Sequence, residues 1–419
     1  MSAGAPVWKV ASVWAARLLT GAVFILSGWA KAVDPRGFVY KIGEYLAVWG
    51  IDRLIPYELV ILGAVVLSVV ELTIGVLLAT GCLRRSTPIC GLVMMLFMLP
   101  LTVYIAVADP VADCGCFGDL LVISNIATML KNVVLTALLV LCLVWHKAAR
   151  PLYRPGLQWL VIALSCVYGL VLAVIGWQFQ PVADFRPYGV GKTLVADDGT
   201  SGAERYVYEK NGERREYTLD MLPDSTWTFV ERAGGASEAT REGLAVFDGD
   251  DEVTDELFDP SEKGEMLVLA VVEPGLNNLM RTRMANEIYE YATEHGIVMI
   301  GLVAASGDSF DRWVEMARPE YDVYSASDTS LKELVRGATG LVFMRDGHVV
   351  WKRNFATISP DLLSRPDPFG TVTVVDDGRV AWWLAGAFVA GMLVLYALSA
   401  LTRMKLRPKR LWPRKQKEA

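Results

Sequence analysis

Six runs of about 20 apolar residues, each long enough to cross roughly 30 Å of hydrocarbon, constrain the fold of this chain more than any other feature. They lie near 11–30, 58–80, 88–108, 121–145, 157–177 and 381–402. Hydrophobic residues make up 53% of the 419 residues, which is high for a soluble protein. The runs therefore predict a polytopic α-helical membrane protein. The first run lacks the cleavage site of a signal peptide, so we expect it to stay in the mature protein.

Loop charges predict an orientation, because cytoplasmic loops carry an excess of Lys and Arg. Basic residues cluster between runs 2 and 3, between runs 4 and 5, and in the tail after run 6. The loop 109–120 has three aspartates and no basic residue, so we place it outside, together with 178–380. The segment 31–56 must then also lie outside, although it carries four basic residues. We predict an inner-membrane protein with both termini cytoplasmic and a periplasmic soluble domain.

The chain is predicted to have four parts. A five-span bundle covers 1–177, and a periplasmic β-rich linker region covers 178–262. An α/β thioredoxin-like domain covers 263–380, and 381–419 holds the sixth transmembrane helix and a basic cytoplasmic tail. The net charge of −6 combines this tail with the acidic outer domain, and we expect the tail to contact anionic lipid and not nucleic acid.

The alternation of apolar residues predicts the elements of the outer region. In the linker region we expect strands at 206–208, 216–219 and 227–230, and a loop at 234–243. The domain that follows is predicted to have strands at 266–272 and 297–303, helices near 277–294, 308–317 and 329–337, and a hairpin of 341–344 with 348–351. This order is typical of a thioredoxin-like domain.

The predicted domain lacks the residues that make a thioredoxin-like fold redox-active. The segment 273–278, where a dithiol should follow the first strand, has no cysteine. Thr339 takes the position that is usually a cis-proline. We therefore interpret this degenerate domain as a binding or positioning module.

Cys114 and Cys116 form the strongest chemical motif, in the acidic loop between runs 3 and 4. A disulfide over this spacing closes a very small ring, so it would be strained and comparatively oxidising. A redox-active dithiol that exchanges disulfides with another protein is the leading interpretation. A metal site needs two further ligands, and the only outer histidines, His295 and His348, belong to the predicted domain, so we predict no metal. A purely structural role stays open.

Charged residues inside the bilayer are costly and mark candidate sites. Glu71 lies in run 2, and Lys131 and Asn132 lie in run 4. Glu71 and Lys131 are candidate partners in the bundle. They would form either an ion pair that fixes helix packing, or a proton relay or quinone head-group site near the cysteines. Arg17 and Lys31 lie near opposite ends of run 1, where long basic side chains usually extend to the interface.

These residues resemble the DoxX-like/MauE group of redox-associated membrane proteins over about 1–145. The matching features are Arg17, Phe24–Gly28, Lys31, Asp34–Pro35, Glu71, Cys114–Gly118 and Lys131–Asn132. The whole chain is similar to the longer Bacteroidetes-type DoxX family proteins, in which a five-span unit precedes the segment 184–191 and a degenerate thioredoxin-like domain.

The resemblance implies an inner-membrane protein. MauE-type relatives are associated with disulfide formation in a periplasmic dehydrogenase subunit, and DoxX-type relatives with quinone-linked sulfur oxidation. The lost dithiol of the appended domain argues against a self-contained relay like the fused vitamin K epoxide reductase homologues. No residue of this chain points to a methylamine pathway.

We therefore expect thiol–disulfide exchange between Cys114/Cys116 and a periplasmic client, with electrons passing to a quinone. The rival hypothesis is a non-enzymatic membrane assembly or maturation factor whose periplasmic domain binds a client. A transporter is a third alternative, although five spans and one ion pair offer a narrow permeation path.

Overall fold

The computed structural model describes residues 6–111, 113–195, 205–210, 213–218, 228–233, 244–258, 264–276, 279–370 and 379–405. The chain divides into two compact units. The membrane unit comprises Met1–Gly118, Ser124–Val174 and Arg379–Ala419, and the sheet unit comprises Asp119–Ile123 and Ile175–Gly378. The predicted loop at 234–243, Asn277, Asn278 and the tail after 405 lie outside the described residues.

The six apolar runs are confirmed as helices that are long and apolar enough to cross a membrane. The first six helices of the membrane unit are α1 (Val7–Val33), α2 (Pro35–Val48), α3 (Tyr57–Thr80), α4 (Ser86–Ala108), α5 (Asn125–Val144) and α6 (Pro155–Gln178). The last run forms the C-terminal helix Arg379–Lys405. Of these seven helices, only α2 is not one of the six candidate spans.

The helix α2 was missed by the sequence analysis, because its 14 residues carry charges and are too short to span a bilayer. Its start is encoded locally. Asp34 caps the helix by accepting a hydrogen bond from the Gly37 amide at 2.9 Å, and Pro35 occupies the first turn, where its missing N–H costs nothing.

Glycines bring α1 and α3 into backbone contact. A Cβ on Gly28 would lie 2.4 Å from the backbone nitrogen of Leu72, and one on Gly75 would lie 2.6 Å from that of Ile25. Small residues permit this close approach between membrane helices. The contact places polar residues of α1 directly against α3.

The sheet unit contains two sheets. The three-stranded sheet has the order β2-β1-β3 and consists of β1 (Arg205–Lys210), β2 (Glu213–Thr218) and β3 (Thr228–Ala233). The seven-stranded sheet has the order β10-β9-β6-β7-β8-β4-β5. Its strands are β4 (Val246–Asp248), β5 (Asp251–Glu252), β6 (Glu265–Val271), β7 (Val298–Val303), β8 (Asp322–Ala326), β9 (Thr339–Arg345) and β10 (His348–Asn354).

The helices of the sheet unit cover both faces of the larger sheet. They are α7 (Thr254–Leu257), α8 (Leu279–Glu294), α9 (Asp308–Ala317) and α10 (Asp328–Leu334). Because side chains alternate along a strand, Leu267 and Leu269 of β6 pack with α8 and α9, whereas Val268 and Ala270 pack with α10. The sheet therefore has two apolar cores.

The predicted order of strands and helices from 265 to 354 is found with one addition, β8, and β4 joins the sheet from an earlier part of the chain. β8 pairs parallel to β7, and β4 pairs antiparallel to β8. Both were missed because they are short, and polar residues interrupt their apolar pattern. Thr339 begins β9. The assignment of this unit as thioredoxin-like stays a prediction.

Candidate functional site

The loop between α4 and α5 brings the two outer cysteines together. The Sγ atoms of Cys114 and Cys116 are 2.7 Å apart, and both residues are free thiols. The sulfurs of a disulfide lie about 2.05 Å apart, so a small movement would join them. Cys114 is buried and Cys116 is half-buried. The two thiols are therefore in direct contact within the loop.

Contacts from the loop itself and from α2 hold the dithiol in place. Gly115 has a φ of 65°, and a Cβ there would lie 2.6 Å from Cγ of Lys41, so both the conformation and the space favour glycine. The Gly115 amide donates to Oδ1 of Asp113 at 2.6 Å. The hydroxyl of Tyr45 donates to the carbonyl of Cys114 at 2.9 Å.

A buried ion pair connects to this loop from α1 and α3. Nζ of Lys31 lies 2.6 Å from Oε2 of Glu71, and the Lys31 side chain is 4% exposed. Lys31 also donates to Oγ of Ser27 at 2.9 Å. The Ser27 hydroxyl donates in turn to the carbonyl of Cys116 at 2.6 Å. Hydrogen bonds thus link the ion pair to the dithiol loop.

The predicted pairing of Glu71 with Lys131 is wrong, because Glu71 pairs with Lys31. The glycine contact between α1 and α3 places these two side chains on facing surfaces. The expectation that Lys31 and Arg17 extend to the interface is wrong as well. Arg17 is fully buried, and its Nη2 donates to the carbonyl of Arg84 at 2.8 Å. Tertiary packing therefore decides which charges are buried.

Lys131 approaches the same loop from α5. Its ammonium lies over the ring of Phe117, 4.3 Å from the centroid, which is a cation–π geometry. In the described part of the chain, Lys131 has no carboxylate within ion-pair distance. The neighbouring Asn132 is buried and donates to Oγ1 of Thr102 at 3.3 Å, so it fixes α5 against α4.

The surroundings make the two thiols unequal. A hydrogen bond from Cys114, followed by the charges of Lys131 and Lys31, outweighs burial and lowers the pKa of Cys116 to about 7. The same hydrogen bond, together with burial, raises the pKa of Cys114. Because the thiolate is the reactive form of a cysteine, this difference favours reactivity at Cys116 over Cys114.

Among the residues that the structure describes, no group of three or more His, Cys, Asp or Glu side chains could hold a metal ion. In the sheet unit, a small cavity lies where β6 ends. Its lining includes Glu273, Pro274, Arg281, Trp313, Tyr321 and Thr339.

Comparison with known proteins identifies two segments. Residues 9–145 match the family model described as methylamine utilisation protein MauE. Residues 203–233 match a domain of unknown function, DUF8463. No curated protein and no solved structure matches the chain.

The MauE match spans every residue of the dithiol site, from Ser27 to Lys131. The match supports the resemblance to MauE that the sequence shows, whereas the similarity to DoxX proteins stays a resemblance. Residues 9–145 are thus similar to MauE, and together with the six apolar helices the match supports a multi-pass membrane protein.

Proposed function

We propose that this protein is a membrane thiol–disulfide oxidoreductase whose Cys114/Cys116 pair exchanges disulfides with a periplasmic client. The observation that carries the proposal is the 2.7 Å approach of the two thiols in a loop bordered by buried charges. Perturbed thiols beside fixed charges are typical of catalytic sites and uncommon in inert structural cysteines.

The proposed reaction balances as a two-electron exchange. A client dithiolate attacks the Cys114–Cys116 disulfide, a mixed disulfide forms, and the second client thiolate resolves it. The client leaves with a disulfide, and the protein is left with two thiols. The pair then passes two electrons and two protons to a quinone, which becomes a quinol, and the disulfide is restored.

The chain's own residues have distinct roles in this scheme. Cys116, whose pKa is lowered to about 7, attacks or leaves as the thiolate, and Cys114 is its resolving partner. Glu71 holds Lys31 beneath the loop, and Asn132 holds α5, which carries Lys131. The sheet unit is proposed as a degenerate thioredoxin-like domain, outside the inner membrane, that presents the client.

Thiol trapping in intact membranes tests the proposal. Cys114 and Cys116 should be oxidised during respiration and should accumulate as thiols when quinone oxidation is blocked. Peptide-resolved mass spectrometry separates them from the other four cysteines. A pair whose redox state follows neither condition would contradict the redox function.

A matched set of variants shows whether the response comes from the dithiol or from another cysteine. Cys114→Ser cannot form the Cys114–Cys116 disulfide, so it should not oxidise a reduced client. Given an oxidised client, its Cys116 thiolate should attack the client disulfide and accumulate as a mixed disulfide, because the Cys114 thiol that would resolve it is gone. Cys90→Ser provides the control, since Cys90 is an exposed free cysteine of α4 away from the loop. An equal effect of both substitutions would show that the response does not come from the dithiol.

The second candidate function is a non-enzymatic maturation factor that binds a client. It is favoured by the sheet unit, because all six cysteines precede residue 178 and the cavity beside β6 offers a binding surface without a thiol. This candidate predicts that Trp313→Ala or Arg281→Ala abolishes client binding while Cys114→Ser/Cys116→Ser does not affect function. Client capture by the cysteine double variant distinguishes the two.

A further inference from the structure

Three lysines surround the dithiol loop, and two of them have acidic partners. Lys31 pairs with Glu71 at 2.6 Å. Lys41 lies 2.8 Å from Glu44 and 3.3 Å from Asp113. Lys131 is different: none of the described carboxylates lies within ion-pair distance of it, and its ammonium lies over the face of Phe117, the residue that follows Cys116.

We propose that Lys131 is the counter-charge of the Cys116 thiolate and so favours ionisation of the dithiol. The inference deepens the redox function proposed above and rests on it for its biological meaning. Its geometry is that of a positioning residue, because the Phe117 ring holds the ammonium next to the loop while α5 supplies the rigid base.

Charge balance gives the physical reason. A cation in a membrane bundle is unfavourable unless it is paired, and none of the described carboxylates lies within ion-pair distance of Lys131. The group of Lys31, Glu71, Lys131 and Cys116 is neutral only when Cys116 is a thiolate. Forming the Cys114–Cys116 disulfide removes that negative charge and leaves Lys131 uncompensated. Lys131 therefore favours the reduced form, which makes the disulfide the better oxidant of client thiols.

Other titratable groups lie around the dithiol loop, and the test must separate them from Lys131. They are Lys31 on α1, Lys41, Glu44 and Tyr45 on α2, Glu71 on α3, and Asp113 and Cys114 in the loop. The pair Lys31–Glu71 is neutral, and Lys41 with Glu44 and Asp113 carries one net negative charge, so neither group should stabilise the Cys116 thiolate as one additional lysine does.

The experiment measures the alkylation rate of Cys116 against pH in the full chain carrying Cys114→Ser, by peptide-resolved mass spectrometry. Lys131→Gln should raise the apparent pKa of Cys116 by about one unit and slow alkylation below that pKa roughly tenfold. Lys131→Arg keeps the charge and should restore the parent profile. An unchanged profile in Lys131→Gln, or no recovery in Lys131→Arg, would overturn the proposal.

Two further variants control for the charges of Lys31 and Glu71 and for misfolding of Lys131→Gln. The double variant Lys31→Gln/Glu71→Gln removes a neutral pair and should shift the profile less than Lys131→Gln does; a larger shift would assign the role to Lys31 instead. If Lys131→Gln fails to fold, Phe117→Leu carries the test, because it releases the ammonium and should raise the pKa in the same direction. An unshifted Phe117→Leu profile would then overturn the proposal.

The readout separates this inference from the proposed function. Alkylation needs neither client nor quinone, so the Lys131 effect can be present in a protein whose dithiol exchanges nothing. Conversely, a quinone-dependent redox state in Lys131→Gln, with an unchanged Cys116 profile, would retain the redox function and reject the role of Lys131.

Discussion

The two units both bury charged side chains, but they satisfy those charges differently. In the sheet unit, the Asp184 carboxylate accepts from Nε of Arg186 at 2.7 Å and lies 2.5 Å from Nζ of Lys352. Lys352 also donates to the carbonyl of Tyr188 at 2.9 Å. In the membrane unit, Lys31 and Glu71 form a comparable pair, whereas Lys131 faces an aromatic ring and a dithiol loop.

The difference indicates a structural role for the buried charges of the sheet unit and fits the redox role that we propose for the dithiol loop. The carboxylate of Asp184 contacts two cations, Arg186 and Lys352. The segment that holds Asp184 and Arg186 is tied to β10, since the Gly191 amide donates to the carbonyl of Val349 at 2.7 Å. Such a network defines how the segment docks on the sheet. In the site that we propose, ionisation of a thiol balances the charge of Lys131. Variants that change one kind of buried charge and not the other separate the two cases.

Asp184→Asn should destabilise the sheet unit by about 3–5 kcal/mol, because it leaves Arg186 and Lys352 buried without their anion. Amide hydrogen exchange of β6 and β9 peptides in the full chain measures the loss. Peptides of α1 and α3 provide the internal control, since they belong to the membrane unit. Unchanged protection of β6 would show that the buried triad does not stabilise this sheet.

The same carboxylate predicts that the sheet unit loses stability in acid. Burial alone would raise the pKa of Asp184, but the charges of Arg186 and Lys352 outweigh it and lower the pKa well below the ordinary value. A lowered folded-state pKa stabilises the fold above the unfolded-state pKa of about 3.9, and this stability is lost as pH falls towards the folded-state value. Protection of β6 should decline below about pH 4, and less steeply in Asp184→Asn.

Gly28→Ala should destabilise the membrane unit by about 1–3 kcal/mol, because the new methyl group would overlap the Leu72 backbone and separate α1 from α3. Thermal unfolding of the detergent-solubilised chain measures this. Gly63→Ala is the matched control, since a Cβ at that position of α3 meets nothing within 4 Å. Equal melting temperatures for both variants would contradict the close helix contact.

Glu71→Gln should lower the apparent pKa of Cys116, because it leaves Lys31 and Lys131 both uncompensated beside the thiol. A shift of about one unit corresponds to about 1.4 kcal/mol and speeds alkylation below pH 7. The pH profile of Cys116 alkylation provides the measurement. A shift to higher pKa would mean that Glu71 acts by holding the loop and not through charge.

Glu287→Gln should change the stability of the sheet unit by only about 0.2–0.5 kcal/mol, although it breaks an ion pair with Arg283 at 2.9 Å. Both side chains are exposed, so water already solvates them. Hydrogen exchange of α8 compares this effect with that of Asp184→Asn. An effect of similar size would remove the distinction between buried and exposed pairs.

Much of the site could be predicted from the sequence. The Cys114–Gly115–Cys116 loop has its special residues within three positions, and its glycine has the positive φ that such a turn requires. Glu71, Lys131 and Asn132 stand out because polar residues in apolar runs are rare. Asp34–Pro35 indicates the start of a helix, but α2 itself is short and polar and gives no strong apolar signal.

The six apolar helices follow from the sequence alone, because the free energy of placing a segment in lipid is a sum over its own residues. The same holds for four strands of the larger sheet, β6, β7, β9 and β10, whose apolar residues reveal them. Tertiary packing, by contrast, sets the pairing of Glu71 with Lys31, the approach of Lys131 to Phe117 and the contact of Asp184 with Lys352. These pairings depend on which helix faces approach closely, and that approach is a property of packed backbones and not of local composition.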